Sequence, residues 1–237
     1  METTTPLVYC SHSNHGPTLS ASRPDAVPTQ SIRLQYLNEG NANVVFRIIP
    51  SIDRQPLPDF LQGRLLRLRK DKSFIRPVQE QYAAFHDQFV PLFHARNLVE
   101  QDLVRIGPGL ADVLNKFLRQ LEISGVRLQS RHADTLATNE PYGFLTTDMT
   151  ARGEQFQLEL KPKWLLQSPD APEDAVRCRT CALRARRKML KSIHAATFNS
   201  AEYCPLGLLS HDALERRRVF QAVAHKNKHL PKEAGKS

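Results

Sequence analysis

The chain has 237 residues, of which 41% are hydrophobic, and a formal net charge of +9 at pH 7. This composition is ordinary for a globular protein with a buried core, and no apolar run approaches the ~18 residues that a membrane helix needs. Four cysteines are too few for a disulfide scaffold, so reduced thiols in the cytosol or nucleus are predicted. Residues 1–30 are rich in Thr, Ser, Pro and His and lack the features of a secretory signal, which predicts a disordered leader.

Strands predominate in the first part of the chain, whose ordered region is predicted to begin near Ser31. The β-branched, apolar run 44–49 predicts one strand, and the alternation of Leu with Arg at 65–69 predicts a second. Prolines between these strands indicate a wide hairpin. Pro77 is a suitable first residue for a helix, and Pro91 is expected to end or kink that helix.

Helices predominate in the second part. The clearest helical pattern is the apolar stripe at 110–121. Two more strands are predicted at 142–147 and 155–161, and two more helices at 175–191 and 213–224. This order predicts an α+β fold in which an antiparallel-sheet lobe, 31–150, precedes the start of a helical lobe, 151–212, and a divergent basic tail, 213–237.

The segment 38–43, Asn-Glu-Gly-Asn-Ala-Asn, lies between two predicted strands. Glycine and asparagine tolerate positive φ, and consecutive backbone N–H groups in such a turn can hold a phosphate. The later strand 65–70 presents cations of the kind with which a kinase holds ATP phosphates. A plain hairpin turn and an amphipathic strand with a solvated face are the alternative interpretations.

The segment 159–163, Glu-Leu-Lys-Pro-Lys, combines one acid with two ammonium groups. Its proline restricts Lys161 to an extended conformation, and in a strand Glu159, Lys161 and Lys163 share one face. An acid and two ammonium groups together can bind phosphates and a metal ion or a nucleotide hydroxyl. An exposed, charged strand end is the alternative.

A basic block between Arg177 and Lys191 carries seven cations and no acidic residue. Such a block predicts a polyanionic partner, which can be nucleic acid, an acidic lipid surface or a heavily phosphorylated small molecule. On the predicted helix Arg179, Arg186 and, less squarely, Arg187 share a face, and several arginines together suit a ligand with many phosphates. The alternative is a solvated charged face, although repulsion among the cations opposes that helix.

Cys178 and Cys181 form a Cys-x2-Cys pair, which can be half of a metal site. The other half would have to come from His194 and Cys204, whose separation does not match a usual zinc motif. Cysteines one helical turn apart also pack as small apolar groups. Packing is the preferred interpretation, and no metal site is predicted.

Taken together, these motifs resemble the inositol-pentakisphosphate 2-kinase family. The segment 159–163 matches the family's Glu-x-Lys-Pro-Lys hallmark, and the segments 36–45 and 65–70 are similar to its glycine-rich loop and following strand. The segment 178–181 resembles a Cys-Arg-x-Cys motif of many members, and 203–210 resembles the family's Tyr-Cys-Pro-Leu-Asp-Leu-Phe-Ser. All of these segments occur in the order that the family shows.

The resemblance implies a two-lobed, protein-kinase-like fold that uses ATP and Mg²⁺. Members transfer the γ-phosphoryl group to the 2-hydroxyl of inositol 1,3,4,5,6-pentakisphosphate and release inositol hexakisphosphate. The implied ATP-binding residues are Gly40, Asn41, Asn43, Arg67, Asp148 beside adenine and Glu159 at the ribose. The implied phosphate- and inositide-binding residues are Arg131, Lys161, Lys163, Arg179 and Arg187.

The chain also departs from the family pattern. Gly207 replaces the family's Asp, and Leu183 stands where many members have His. The family's catalytic and metal-binding aspartates are expected beyond Ser237, so the resemblance implies an incomplete helical lobe whose catalytic residues are unknown from this chain. A monomer without a membrane segment is expected.

Two other functions remain open. A basic nucleic-acid-binding protein uses the same charge but predicts aromatic residues among the cations. The stretch 177–191 contains none, and the chain is only 7% aromatic, so nucleic acid is not the favoured partner. A pseudokinase that binds ATP or an inositide without turnover differs from the kinase only in whether the catalytic half is encoded.

Overall fold

The computed structural model describes residues 5–14, 16–24, 28–51, 55–150, 165–192 and 203–226. The chain divides into two compact units, Met1–Asp148 and Met149–Ser237. Seven strands and four helices lie within the described ranges. The mixed content confirms the α+β class.

Seven strands form a closed barrel in the first unit. In chain order they are β1 (Leu7–Ser13), β2 (Gly16–Ser20), β3 (Gln30–Glu39), β4 (Asn43–Pro50), β5 (Arg64–Arg69), β6 (Gln101–Ile106) and β7 (Tyr142–Thr147). The order around the barrel is β1-β2-β6-β7-β5-β4-β3, and β3 closes it by pairing with β1. All pairs are antiparallel except β2 with β6. The strands predicted at 44–49, 65–69 and 142–147 are confirmed, but the predicted antiparallel sheet is a barrel with one parallel pair.

The N-terminal segment belongs to this barrel. β1 pairs with both β2 and β3, and β2 pairs with β6. Val8 and Leu19 are fully buried, and Cys10 is nearly so. The prediction of a disordered leader over 1–30 is therefore wrong for 7–13 and 16–20. The Thr, Ser, Pro and His content of residues 1–30 has the composition of a disordered segment and conceals the short apolar run 7–10 and the single inward-facing Leu19.

One core joins the inward side chains of the strands to a helix. Helix α2 spans Leu110–Ile123, and the side chains of Leu110, Leu114 and Leu118 are buried in the same cluster as Phe46 of β4. The apolar stripe predicted at 110–121 is thus confirmed as the core-facing side of α2. The helix begins after Gly109, whose φ of 77° is in the left-handed region that glycine adopts without strain.

The helix after Pro77 is shorter than its apolar pattern suggests. Helix α1 spans Val78–Ala84 and continues as a π-helical turn at Phe85–Phe89 and a 3-10 turn at Val90–Leu92. The regular α-helix therefore ends before Pro91, and Pro91 lies inside the 3-10 turn that follows the π-helical turn. Tyr82 of α1 lies 6.4 Å from the Phe144 ring of β7, between centroids, which packs α1 against the barrel.

The regular elements described in the second unit are all helical. Helix α3 spans Arg179–Ser192, a 3-10 turn spans Pro205–Leu209, and helix α4 spans Ala213–Lys226. These helices confirm the predictions at 175–191 and 213–224, although α3 begins four residues later than predicted. The strand predicted at 155–161 lies outside the described residues. No described helix of the chain has the length and apolar character needed to cross a membrane.

Local packing explains one departure from the family pattern. Gly207 is buried in the 3-10 turn, and a Cβ added there would lie 2.7 Å from Val219 Cγ2 of α4. A larger residue would push the turn away from α4, so glycine fits this contact. Asp212 caps α4, because its Oδ1 accepts a hydrogen bond from the Leu214 N–H at 2.9 Å.

Candidate functional site

The turn between β3 and β4 contains the predicted phosphate loop. The Gly40 N–H donates to the Asn43 carbonyl at 2.9 Å, and both Gly40 and Asn41 are exposed. Neither these residues nor Asn43 has a positive φ, so the left-handed turn that the sequence suggested is wrong. A Cβ at Gly40 would meet no atom within 4 Å. Neither the backbone nor the packing of the described residues requires glycine here.

A β-bulge in β3 turns an acid toward the interior below this turn. The register between β3 and β4 shifts between Tyr36 and Asn38. Ile32 and Leu34 face inward before the bulge, and the shift by one residue brings Glu39 inward instead of Asn38. Glu39 is consequently buried, and its carboxylate lies beneath the exposed Gly40.

Lys70 is the buried cation under the turn. Side chains alternate between the two faces of a strand, and Lys70 follows the buried Leu66 and Leu68 at every second position. Its side chain is therefore directed to the core. Its Nζ lies 2.5 Å from Glu39 Oε2 and 2.8 Å from Asp134 Oδ2, and it donates to the Gly40 carbonyl at 2.9 Å. An ammonium group has three donors, and these oxygens account for all of them.

Arg127 completes the buried network from the loop after α2. Its Nε and Nη2 contact the two carboxylate oxygens of Glu39 at 2.6 and 2.9 Å. Its Nη1 lies 2.6 Å from Glu122 Oε1, and its Nη2 also donates to the Asp134 carbonyl at 2.8 Å. Two-point guanidinium–carboxylate contacts fix geometry as well as charge. The network therefore holds β3, β5, α2 and the loop 127–134 in one arrangement.

Burial and hydrogen bonding act in opposite directions on the network's acids. Burial opposes ionisation of Glu39, but hydrogen bonds from Arg127 and Lys70 outweigh it and hold the pKa of Glu39 below its ordinary value. Burial likewise opposes ionisation of Asp134, whose pKa is lowered by Lys70 and Lys72. Acids with lowered pKa values stabilise the fold above their ordinary pKa, about 4, and lose that contribution as the pH falls through the folded value.

Two further cations lie on the solvent side of the turn. Lys72 Nζ is 3.3 Å from Asn41 Oδ1 and 2.9 Å from Asp134 Oδ1. Arg131 Nη1 is 3.4 Å from the same Asn41 oxygen, although the two residues are 90 positions apart in the chain. The fold thus brings Arg131 to the exposed turn.

Arg67 lies on the other face of β5 from Lys70. Val45 pairs with Arg67 and Asn43 with Arg69, so Arg67 shares a face with Asn43 rather than with the buried network. Its guanidinium carbon lies 4.5 Å from the Phe144 ring centroid, and its Nη2 donates to Gln101 at 3.0 Å. Burial lowers the pKa of Arg67. The structure therefore does not bring Arg67 to Asn41 and Arg131.

Asp148 lies at the opposite end of β5 from the turn. Its N–H donates to the Gly63 carbonyl at 2.7 Å, just before β5 begins. A strand of six residues separates the two ends by about 20 Å. Glu159, Lys161 and Lys163 lie outside the described residues.

The basic block forms most of α3 in the second unit. Arg179 and Arg187 are both exposed, and Arg179 lines a cleft of about 680 Å³ together with Arg177. Arg184 is half-buried, with its guanidinium carbon 5.2 Å from the Tyr203 ring centroid, and it donates to the Tyr203 carbonyl. The block is thus partly a packing element and partly an exposed cationic surface.

A sequence comparison decides the family. The profile of the inositol-pentakisphosphate 2-kinase family matches residues 36–231. The chain belongs to this family. The matched stretch includes the β3–β4 turn, the buried network, α3 and α4, whereas β1 and β2 precede it. Helix α4, which the sequence analysis assigned to a divergent tail, thus lies within the match.

A curated relative in Yarrowia lipolytica (strain CLIB 122 / E 150) carries the name inositol-pentakisphosphate 2-kinase. It is 41% identical over 212 aligned residues, which cover 83% of this chain and 64% of the relative. The chain therefore spans less than two thirds of the length of that relative. Both comparisons agree with the family that the sequence motifs resemble.

Sequence reasoning missed the cations that lie closest to the family's glycine-rich loop. It assigned Arg67 as the phosphate-binding cation of β5, whereas Lys70 and Lys72 are the ones that contact the turn. A signal for Lys70 existed, because it continues the inward phase of Leu66 and Leu68. Lys72 and Asp134 gave no such signal, since their contact depends on how a distant loop folds back.

Proposed function

We propose that this chain provides the ATP-binding lobe of an enzyme that phosphorylates inositol 1,3,4,5,6-pentakisphosphate at its 2-hydroxyl, with Mg²⁺ accompanying ATP. The product is inositol hexakisphosphate. The observation that carries the proposal is the convergence of Lys72 and Arg131 on the exposed Asn41. Phosphoryl transfer depends mainly on charge neutralisation and alignment, which such a cluster can supply.

The buried network supports this cluster electrostatically and mechanically. The contacts around the turn join five cations to three carboxylates, an excess of two positive charges, which the exposed carboxylate of Asp71 between Lys70 and Lys72 reduces to one. The cations are Lys70, Lys72, Arg119, Arg127 and Arg131, and the carboxylates are Glu39, Glu122 and Asp134. The buried members are paired, so the excess falls on side chains near the surface. Donors held in place before a ligand arrives need little reorganisation to bind it.

We also assign roles to the other residues that the family resemblance implies. The β and γ phosphates of ATP bind at the Gly40–Asn43 turn with Arg131 and Lys72, and Asp148 lies beside adenine at the far end of β5. Arg67 contributes a positive charge to phosphate binding from the face of the barrel that it shares with Asn43. Glu159 binds the ribose, Lys161 and Lys163 bind phosphates, and Arg179 and Arg187 bind the inositide. The proposal includes the two-lobed, kinase-like arrangement of the family.

Replacement of Arg131 by alanine tests the phosphate assignment. We expect Arg131→Ala to weaken binding of ATP with Mg²⁺ by about 10- to 100-fold, because a hydrogen bond to a charged group contributes about 1.5–3 kcal/mol. Isothermal titration calorimetry measures the affinity. Arg96→Ala, an exposed arginine in the 3-10 turn Ala95–Asn97, is the matched control and is expected to bind ATP as the wild type does.

Equal ATP affinities in the two variants would contradict the assignment. A kinase assay with inositol pentakisphosphate then tests the reaction, with the product's phosphate positions determined by NMR. Binding of both ligands without product by a protein that carries the family's catalytic aspartates would favour the pseudokinase. Nucleic-acid binding that is tighter than inositide binding would favour the nucleic-acid-binding protein.

A substitution at Gly40 can distinguish an effect on stability from an effect on ligand binding. Because a Cβ at this position meets open space, Gly40→Ala is expected to keep the free energy of unfolding or raise it by up to about 1 kcal/mol. The added methyl group would occupy the space that the phosphates need, so ATP affinity should fall. Urea unfolding and calorimetry on the same samples give both quantities.

The control for Gly40→Ala is a substitution at a glycine whose positive φ does require glycine. Gly16 has a φ of 93°, so Gly16→Ala is expected to lose about 1–2 kcal/mol of stability and to keep its ATP affinity. If Gly40→Ala instead destabilises the protein and binds ATP normally, the turn is a structural hairpin and not a phosphate loop.

A further inference from the structure

The loop after α2 contains a residue in an unusual backbone conformation. Among the residues that the structure describes, Ala133 is the only non-glycine residue with a positive φ, which is 66°. This left-handed conformation is unfavourable for alanine, because its Cβ comes too close to a carbonyl oxygen. The side chain of Ala133 is exposed, so packing in the core does not explain it. Such outliers persist where the surrounding structure fixes the backbone, and they cluster at functional sites.

Ala133 is the third residue of a type II β-turn over residues 131–134. The Asp134 N–H donates to the Arg131 carbonyl at 3.2 Å, and His132 has a φ of −57° and a ψ of 146°. A type II turn needs a positive φ at its third residue, where glycine or asparagine is usual. In a type I turn that residue has a negative φ, and the peptide group between the two central residues is flipped by roughly half a turn.

Glu122 selects the type II form of this turn. The peptide group that distinguishes the two forms carries the N–H of Ala133, which donates to Glu122 Oε1 at 3.0 Å. Glu122 is buried, and Arg127 Nη1 lies 2.6 Å from the same oxygen. A flip would replace this N–H with the His132 carbonyl oxygen. A buried carboxylate that loses a donor and meets another oxygen is destabilised, so a flipped turn would move away from Glu122.

Both ends of the 131–134 turn reach the turn between β3 and β4. Arg131 Nη1 lies 3.4 Å from Asn41 Oδ1. Asp134 Oδ1 lies 2.9 Å from Lys72 Nζ, which in turn lies 3.3 Å from the same Asn41 oxygen. The backbone conformation between Arg131 and Asp134 therefore affects both cations at the exposed turn.

We propose that Ala133 is a positioning residue for ATP binding. Its left-handed conformation holds the 131–134 turn against Glu122, and this contact holds Arg131 at the β3–β4 turn. Ala133 carries only a methyl group, so it acts through its neighbours and not by contact with a phosphate. The consequence for ATP rests on the proposed function, whereas the consequence for the turn itself can be measured without a nucleotide.

Three substitutions at Ala133 test this role. Ala133→Val adds a β-branched side chain, which disfavours a positive φ. Ala133→Asn adds a side chain of similar size that tolerates a positive φ, and is the matched control. Ala133→Gly removes the steric cost altogether. Because position 133 is exposed, none of these side chains has to fit into the core.

Calorimetric titration with ATP and Mg²⁺ compares the three variants with the wild type. We expect Ala133→Val to weaken ATP binding by about 5-fold or more, because the apparent affinity falls with the fraction of molecules in the binding-competent conformation. Ala133→Asn and Ala133→Gly should bind ATP as the wild type does. Arg131→Ala combined with Ala133→Val should lose less binding free energy than the two single losses together, because both changes act through Arg131.

Hydrogen exchange in the absence of ATP measures the turn directly. The backbone N–H of residue 133 should exchange faster in Ala133→Val, which loses the hydrogen bond to Glu122, and should stay protected in Ala133→Asn and Ala133→Gly. Unchanged exchange in Ala133→Val would overturn the proposal. Reduced stability of Ala133→Val with unchanged ATP affinity would also overturn it, as would additive losses in the double variant.

A wild-type chain that binds no ATP would contradict the proposed function itself. The exchange measurement would then still decide whether Ala133 holds the 131–134 turn against Glu122.

Discussion

Removal of residues 1–20 is expected to unfold the first unit. The truncation takes away β1 and β2, and it leaves β3 and β6 without one of their neighbours in the barrel. It also removes the buried side chains of Val8, Cys10 and Leu19. Loss of one large core side chain costs about 2–5 kcal/mol, and the whole stability of a domain is about 5–15 kcal/mol. The losses are therefore comparable with the entire stability.

Circular dichroism with urea titration measures the loss of stability. Point variants show how much of that loss comes from single buried side chains. Leu19→Ala removes a fully buried side chain and is expected to cost about 2–5 kcal/mol. Leu7→Ala, in the neighbouring strand, changes a side chain that is 42% exposed and should cost clearly less. A truncated chain that unfolds cooperatively with wild-type stability would restore the interpretation of residues 1–20 as a disordered leader.

The elements that sequence predicted are those with strong local patterns. β4, with its β-branched run, and α2, with its 3.6-residue stripe, bury one face and so carry the period of that face in their residues. β2 has one large apolar residue and β1 only the short apolar run 7–10, and the burial of both strands depends on pairing with β3 and with β6, which lies more than 80 positions along the chain. Composition alone cannot show a pairing over that distance.

The candidate site likewise contains residues that the sequence could predict and residues that only the fold brings together. The turn and Arg131 could be assigned because their sequence resembles a family motif. The buried network could not, because it requires the bulge in β3 that turns Glu39 inward and a loop that brings Asp134 back to Lys70. A bulge is defined by how two strands are aligned with each other, and the residues of β3 and β4 do not by themselves give that alignment.

Lys70→Ala is expected to lower the free energy of unfolding by about 3–5 kcal/mol. Removal of one partner from a buried ion pair leaves its counter-charges less well compensated, which costs more than the pair itself contributes. Here the substitution leaves Glu39 with Arg127 and leaves Asp134 with Lys72. The carbonyl of Gly40 also loses a donor, so the exposed turn is expected to become less ordered.

Two further variants identify the cause of that loss. Lys72→Ala removes the other cation at Asp134, but Lys72 lies near the surface, so the cost should stay below about 1 kcal/mol. Lys70→Met combined with Glu39→Gln removes charge from both sides and should recover part of the stability that Lys70→Met loses alone. Urea unfolding at neutral pH compares all of them with the wild type.

The pH dependence separates lost ion pairs from a simple cavity. The lowered pKa values of Glu39 and Asp134 mean that the pairs with Lys70 stabilise the wild type above pH ~4 and lose that contribution as the acids protonate below it. The difference in stability between wild type and Lys70→Ala should therefore be largest near neutrality and should shrink as the pH falls through this range. A cavity left by the lysine side chain costs the same at every pH. A constant difference would thus show that Lys70 acts by filling space, and the electrostatic support proposed for the nucleotide turn would have to be abandoned.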